Sequence, residues 1–184
     1  MSGTQEASQT MIHVRSGIAA LATVLCLCGC TKRFDGKIEK VVDGDSLVAV
    51  DEDGERWRVR LGGIDAPEVG QPFGDVATTR LGALVSGREV RVRILEKRGT
   101  RIVVGKVTIG DEDDVVIPLL QEGLAWVYPA QADLVSGGDS ERYVGAQDQA
   151  RANGRGFWRD PESRPPWEFR RLKDLRPGAD KLKR

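Results

Sequence analysis

The run Glu55-Arg56-Trp57-Arg58-Val59-Arg60-Leu61-Gly62-Gly63 decides the fold. Trp57, Val59 and Leu61 alternate with Arg56, Arg58 and Arg60, so an extended strand here has one apolar and one arginine face, and the glycine pair ends it. Upstream, Asp51-Glu52-Asp53-Gly54 reverses the chain. Residues 37–42 and 47–50 read as two further strands around the turn Asp43-Gly44-Asp45. Downstream, residues 75–86 set Val76, Leu81, Leu84 and Val85 at helical spacing, with Gly87 to stop the helix. Residues 89–95 alternate Val90, Val92 and Ile94 with Glu89, Arg91 and Arg93, and 102–109 are β-rich after a turn at Gly99. Residues 111–114 form an acidic surface loop. Pro118 opens a short helix that Gly123 ends, 124–128 return extended, and 129–138 read as a loop. Ser140 caps a last helix with Tyr143, Ala146 and Ala150 on one side. Five short strands with two or three interleaved helices lack the regular alternation of a parallel sheet. They fit a mainly β, α+β architecture: a small closed barrel with helices packed outside.

The chain has 184 residues, enough for one domain or two very small ones. Lys plus Arg and Asp plus Glu each total 28, so a uniformly basic nucleic-acid binder is excluded, while 40% hydrophobic and 30% charged residues are globular proportions. The neutral total hides a basic C-terminal end: residues 155–184 hold ten basic and five acidic side chains. His13 is the single histidine, and Cys26, Cys28 and Cys30 crowd near the N-terminus, which nearly excludes a His/Cys zinc enzyme.

The first 30 residues read differently from the rest. Arg15 precedes an apolar run over residues 17–28. At about 12 residues it is short of the ~20 that span a bilayer but suits the apolar part of a secretory signal. Leu27-Cys28-Gly29-Cys30 resembles a bacterial lipobox, in which the last cysteine carries lipid; Cys28 is an unusual occupant of the middle position. A plain secretory signal and a buried core helix are the alternatives, and Met11 is a second candidate start. Cleavage before Cys30 would leave no other cysteine and hence no intrachain disulfide. The expectation is an extracytoplasmic protein, secreted, periplasmic or lipid-anchored. Thr31 after the cysteine favours the outer membrane in a two-membrane bacterium.

Three carboxylates stand out by context: Asp45, and Asp65 with Glu68 in Ile64-Asp65-Ala66-Pro67-Glu68. Each lies at a strand end beside glycine or proline, where the backbone is fixed and the side chain can be aimed. Convergent carboxylates repel unless a cation sits between them, and hard oxygen ligands suit calcium or magnesium. Asp43, Asp51 and Asp53 read as turn residues. Arg60, five residues before Asp65, supplies the forked donors that a phosphodiester needs beside such a cation. The plainer reading makes Arg56, Arg58 and Arg60 a solvated strand face. Arg98 and Arg101 are candidates for a second clamp. Trp57, Trp126, Trp158 and Trp167 read as core and helix-docking residues before base-stacking platforms.

From Gly36 to Trp167 the chain resembles the thermonuclease, or staphylococcal nuclease-like, family. The resemblance rests on residues 42–46 and 60–68, then Gly123-Leu124-Ala125-Trp126-Val127-Tyr128, residues 150–154 and Gly156-Phe157-Trp158. It implies a five-stranded oligonucleotide-binding (OB-fold) barrel with three helices over residues 34–170, between a signal at 1–30 and a basic tail at 171–184. It also implies Asp45, Asp65 and the backbone carbonyl of Ala66 as calcium ligands, Glu68 near the metal-bound water, and Arg60 as the first phosphate arginine. The implied reaction is calcium-dependent hydrolysis of DNA and RNA to 3′-phosphate and 5′-hydroxyl ends. The substrate would be single-stranded or locally melted, and the enzyme a monomer touching membrane only through a lipid on Cys30. The second arginine departs from the family's Tyr-Gly-Arg: aligning Gly99 puts Thr100 at its position and Arg101 one step late. A bulge must absorb that slip if Arg101 is to reach the phosphate. The rival readings are a weak or inactive nucleic-acid-binding module of the same fold and a structural envelope lipoprotein.

Overall fold

The alternation over residues 55–61 is realised as a strand within a closed barrel. The computed structural model describes residues 33–174. Strands β1 (Arg33–Val41), β2 (Ser46–Asp51) and β3 (Arg56–Leu61) form an antiparallel meander, followed by the two-residue β4 (Ile64–Asp65) and helix α1 (Gly74–Val85). Strand β5 (Glu89–Lys97) pairs with β1, and β6 (Ile102–Ile109) pairs with β5. The circle β3-β2-β1-β5-β6 closes where β6 runs parallel to β3, from Arg58 opposite Ile102 to Leu61 opposite Gly105. The result is a five-stranded barrel of OB-fold type. Strand β7 (Asp113–Asp114) extends β6, and the short α2 (Val116–Gln121) leads to β8 (Trp126–Val127). Helices α3 (Gly137–Ala152) and α4 (Pro166–Asp174) complete the layer outside the barrel.

Alternate strand residues Leu47, Ala49, Val59, Leu61, Val90, Val92, Val103 and Val107 are buried as the period of two requires. The same cluster takes in Ala77, Leu81 and Val85 of α1, Val116, Leu119 and Leu120 of α2, and Tyr143 and Ala146 of α3. Trp126 is buried, stacked on Phe157 with ring centroids 3.3 Å apart, and Trp57 stacks on Phe34, so both serve packing. Among the described residues no helix is long and apolar enough to cross a membrane. The expected signal, Cys30 and residues 175–184 of the basic tail lie outside the described residues.

Some elements differ from the reading of the sequence. Residues 111–114, read as an acidic surface loop, include the paired strand β7, with Asp114 buried and accepting from the Tyr143 hydroxyl (2.6 Å). Helix α3 begins at Gly137 with Ser136 as its N-cap, so Ser140 lies inside the helix rather than capping it. Its first turn is held from the barrel: Asp139 accepts from Lys106 Nζ (2.6 Å) and Arg93 Nη2 (3.3 Å). These contacts outweigh the poor helix propensity of Gly137-Gly138. The segment after residue 154, which carried no expected helix, forms α4, with Pro166 at its first position as Pro prefers.

Glycines bring the loops at one barrel end together. A Cβ on Gly44 would lie 2.7 Å from the Ala77 Cβ and 2.8 Å from the Ala66 Cβ, so only glycine lets the β1–β2 turn rest on α1 and on the β4–α1 loop. Gly63 adopts φ 81°, turning the chain from β3 into β4; its N–H donates to Gln131 Oε1 (3.0 Å) and its carbonyl accepts from the Tyr128 N–H (2.9 Å). Strand β4 is thereby pinned to β8, Ile64 opposite Val127 and Asp65 opposite Trp126.

Candidate active site

The three carboxylates singled out in the sequence lie at this glycine-rich end, joined to one another through arginines. Asp45 is buried where the turn enters β2; its carboxylate accepts from Ser46 Oγ (2.8 Å), the Ala66 N–H (3.1 Å) and Arg60 Nη2 (3.1 Å). Asp43 serves the turn, accepting from the Asp45 N–H at 3.0 Å. Asp65, wholly buried in β4, accepts from the same Arg60 Nη2 at 2.5 Å. One guanidinium nitrogen thus bonds carboxylate oxygens from two separate elements. Glu68, half-buried one turn of loop later, is held by its N–H to Gln71 Oε1 (3.1 Å).

Arg60 points from the arginine face of β3 into this cluster, which decides against that face being merely solvated at its last position. Its neighbours go elsewhere: Arg56 pairs with Glu39 on the surface. The Nε of Arg60 is buried with no hydrogen-bond partner among the described residues. An unpaired guanidinium donor beside the cluster suits an anionic oxygen.

Arg101 is not brought to the cluster. Its guanidinium pairs with Glu55 at the opposite end of β3, and Arg98 pairs with Glu96 at 2.7 Å. The register explains this: Arg60 lies opposite Val104, three residues beyond Arg101, or roughly 10 Å along a strand. A bulge does occur, but in β5 between Ile94 and Glu96, so it leaves the direction of Arg101 unchanged. Arg98 instead lines an open cavity of about 420 Å³ together with Arg58, Arg60, Tyr128 and Gln131.

A second guanidinium in the cluster was missed in the sequence. Arg170 of α4 donates from Nη2 to Asp65 Oδ2 (2.8 Å), from Nη1 to Asp65 Oδ1 (3.1 Å), and from Nη1 to Glu68 Oε1. Helix α4 is seated by its buried Pro166, by Trp167 stacked on Tyr128 (centroids 5.4 Å apart), and by the Gln71 side chain donating to the Arg164 carbonyl (2.7 Å). The available signal was Pro165-Pro166 opening a short run with apolar and basic sides, but nothing in it pointed back to Asp65, 105 residues earlier.

Three carboxylates against two guanidiniums leave the cluster one positive charge short. Burial pushes the Asp45 carboxyl up to about 7 despite the pull of Arg60, and Asp43 adds to the rise. The Arg170 guanidinium is held above its ordinary range, first by its bonds to Asp65 and then by Glu68. Among the described residues no three metal-donor side chains close on one point: the carboxylates here are bridged by guanidinium groups. The donor set of Asp45, Asp65 and the adjoining Ala66 carbonyl is nevertheless all hard oxygen, and its two carboxylates already share one cationic nitrogen. Donors of that chemistry are the kind that a hard cation such as calcium or magnesium takes.

Comparison with known proteins gives the chain's relatives. The sequence model of the family described as staphylococcal nuclease homologue matches residues 58–160. An Escherichia coli protein described as an uncharacterized endonuclease is 33% identical over 138 residues, covering 75% of this chain and 86% of its own. A micrococcal nuclease of Shigella flexneri is 30% identical over 166 residues, covering 84% of this chain and 90% of its own. A Haemophilus influenzae protein, also described as an uncharacterized endonuclease, is 28% identical over 166 residues and covers 90% of this chain and 88% of its own.

Proposed function

Because the chain belongs to the staphylococcal nuclease family, we propose that it is a calcium-dependent phosphodiesterase that cleaves DNA and RNA to 3′-phosphate and 5′-hydroxyl ends. The observation that carries this reading is the shared bond of Arg60 Nη2 to Asp45 and Asp65. It supports a point at which a cation and a phosphate can be held side by side. Asp45, Asp65 and the Ala66 carbonyl would hold the cation, which supplies a Lewis acid for a phosphate oxygen.

The protein's own groups supply the rest. Glu68, half-buried and beside Asp65 through Arg170, takes a proton from water as that water attacks phosphorus in line with the 5′-oxygen. The P–O5′ bond breaks, the 5′-oxygen leaves with its electron pair and is protonated by solvent, and the phosphate stays on the 3′ side. Arg60 binds the non-bridging oxygens as charge grows on them. Tyr128 and the cavity arginines Arg58 and Arg98 flank a path for the unpaired strand. Action as a monomer outside the cytoplasm, with a lipid on Cys30, belongs to the same proposal.

Glu68→Gln and Arg60→Ala are each expected to lower the rate on heat-denatured DNA in calcium at least ~100-fold while the barrel stays folded by circular dichroism. Rates near wild type in either folded variant would refute the assignment. A binding module without activity would instead retain DNA and give no digestion in calcium.

A further inference from the structure

We propose that Arg170 is the second phosphate-binding guanidinium of this site, supplied by the C-terminal helix in place of an arginine from the β5–β6 turn. The inference rests on the nuclease reading above. Arg60 and Arg170 converge on a single atom: Arg60 Nη2 and Arg170 Nη1 both donate to Asp65 Oδ1, at 2.5 and 3.1 Å. Two guanidiniums that meet on one anionic oxygen from different elements form a clamp into which a phosphate oxygen fits as well as a carboxylate oxygen.

Of the two arginines at the β5–β6 turn, Arg101 is paired with Glu55 and Arg98 with Glu96, and neither bonds Asp45, Asp65 or Glu68 as Arg170 does. The hold on Arg170 is also built rather than incidental. Buried Pro166, the Trp167–Tyr128 stack and the Gln71–Arg164 bond fix the start of α4, within two turns before Arg170. Nη1 of Arg170 bridges Asp65 and Glu68, so the same fork that would grip the phosphate also orients the carboxylate that activates water. A cation at Asp45 and Asp65 would compete with both guanidiniums for the same oxygens and leave their donors to the phosphate. Arg170 touching the phosphate makes it a catalytic residue in the strict sense.

The test uses the full chain and three measurements on Arg170→Ala, Arg170→Lys, Arg101→Ala and Arg171→Ala. These are calcium affinity by calorimetry, affinity for a nucleoside 3′,5′-bisphosphate in calcium, and rate on heat-denatured DNA. Arg170→Ala should weaken bisphosphate binding about 10-fold or more and slow cleavage about 100-fold, with calcium affinity unchanged or tighter. Arg170→Lys should recover part of both, Arg171→Ala should match wild type, and Arg101→Ala should cost less than Arg170→Ala. Tryptophan fluorescence of Trp167 checks that α4 stays docked, and the Lys variant keeps the test decisive if Arg170→Ala does not.

Faster cleavage or undiminished bisphosphate binding in Arg170→Ala would make the side chain a plug and overturn the proposal, as would a loss carried by Arg101→Ala alone. Failure of the nuclease reading itself looks different: the wild type would show no calcium-dependent cleavage, and Arg60→Ala would bind the bisphosphate as wild type does.

Discussion

Asp45 shows how a functional residue works against stability. Its carboxylate is buried beside a second one, and the cost of burial exceeds what Arg60 returns, so its pKa rises from 3.8 to about 7. On folding without metal, this group takes up a proton between those two values. The unfolded state therefore binds fewer protons, and metal-free stability falls as pH rises across that window. Asparagine keeps one oxygen acceptor, for either the Ser46 hydroxyl (on Oδ1) or the Ala66 N–H (on Oδ2), and carries no charge. In EDTA at pH 8, Asp45→Asn should be more stable than wild type by about 1–3 kcal/mol, with a flatter dependence between pH 4 and 7. Denaturant melts at three pH values check this, and a less stable variant at pH 8 would contradict it. In calcium the same substitution should abolish cleavage, since one of the two carboxylates is gone.

At the scale of elements, the site exists because two loops are allowed to touch. Gly44 rests against Ala66 and Ala77 with no room for a Cβ, and Asp45 then reaches the Ala66 N–H. Gly44→Ala should cost about 1–3 kcal/mol of stability and weaken calcium binding by parting the two loops. Calorimetry on the variant reads both; unchanged calcium affinity would mean that the loops are not what places Asp45. The barrel was legible because alternation over 55–61 and glycine or proline at the strand ends are local signals. Asp45, Asp65, Glu68 and Arg60 could be found for the same reason, each lying within or next to such a signal. The start of α3 was misread because Asp139 is fixed by Lys106 and Arg93 from the barrel, contacts that no window around Ser136 contains. Arg101 and Arg170 could not be assigned from sequence: one depends on which strand carries a bulge, the other on where a distant helix docks.

At the scale of the whole molecule, neutral net charge conceals a division of labour. The carboxylates gather at one barrel end, arginines from β3 and the β5–β6 turn line the adjoining cavity, and the C-terminal end is basic. If substrate capture depends on about three phosphate contacts to a single strand, a rise from 50 to 200 mM salt should lower kcat/KM roughly 10–20-fold, mainly through KM. A salt-independent KM would mean that stacking on Tyr128, rather than charge, draws the strand in. The nuclease proposal requires Asp45 and Asp65 to share one divalent cation beside Arg60. Calorimetric titration of calcium into the wild type and Asp65→Asn, with a nucleoside 3′,5′-bisphosphate present, tests it most directly. A single calcium per wild-type chain and none on the folded variant is the expected result; equal binding by both, or none by the wild type, would rule out the shared site.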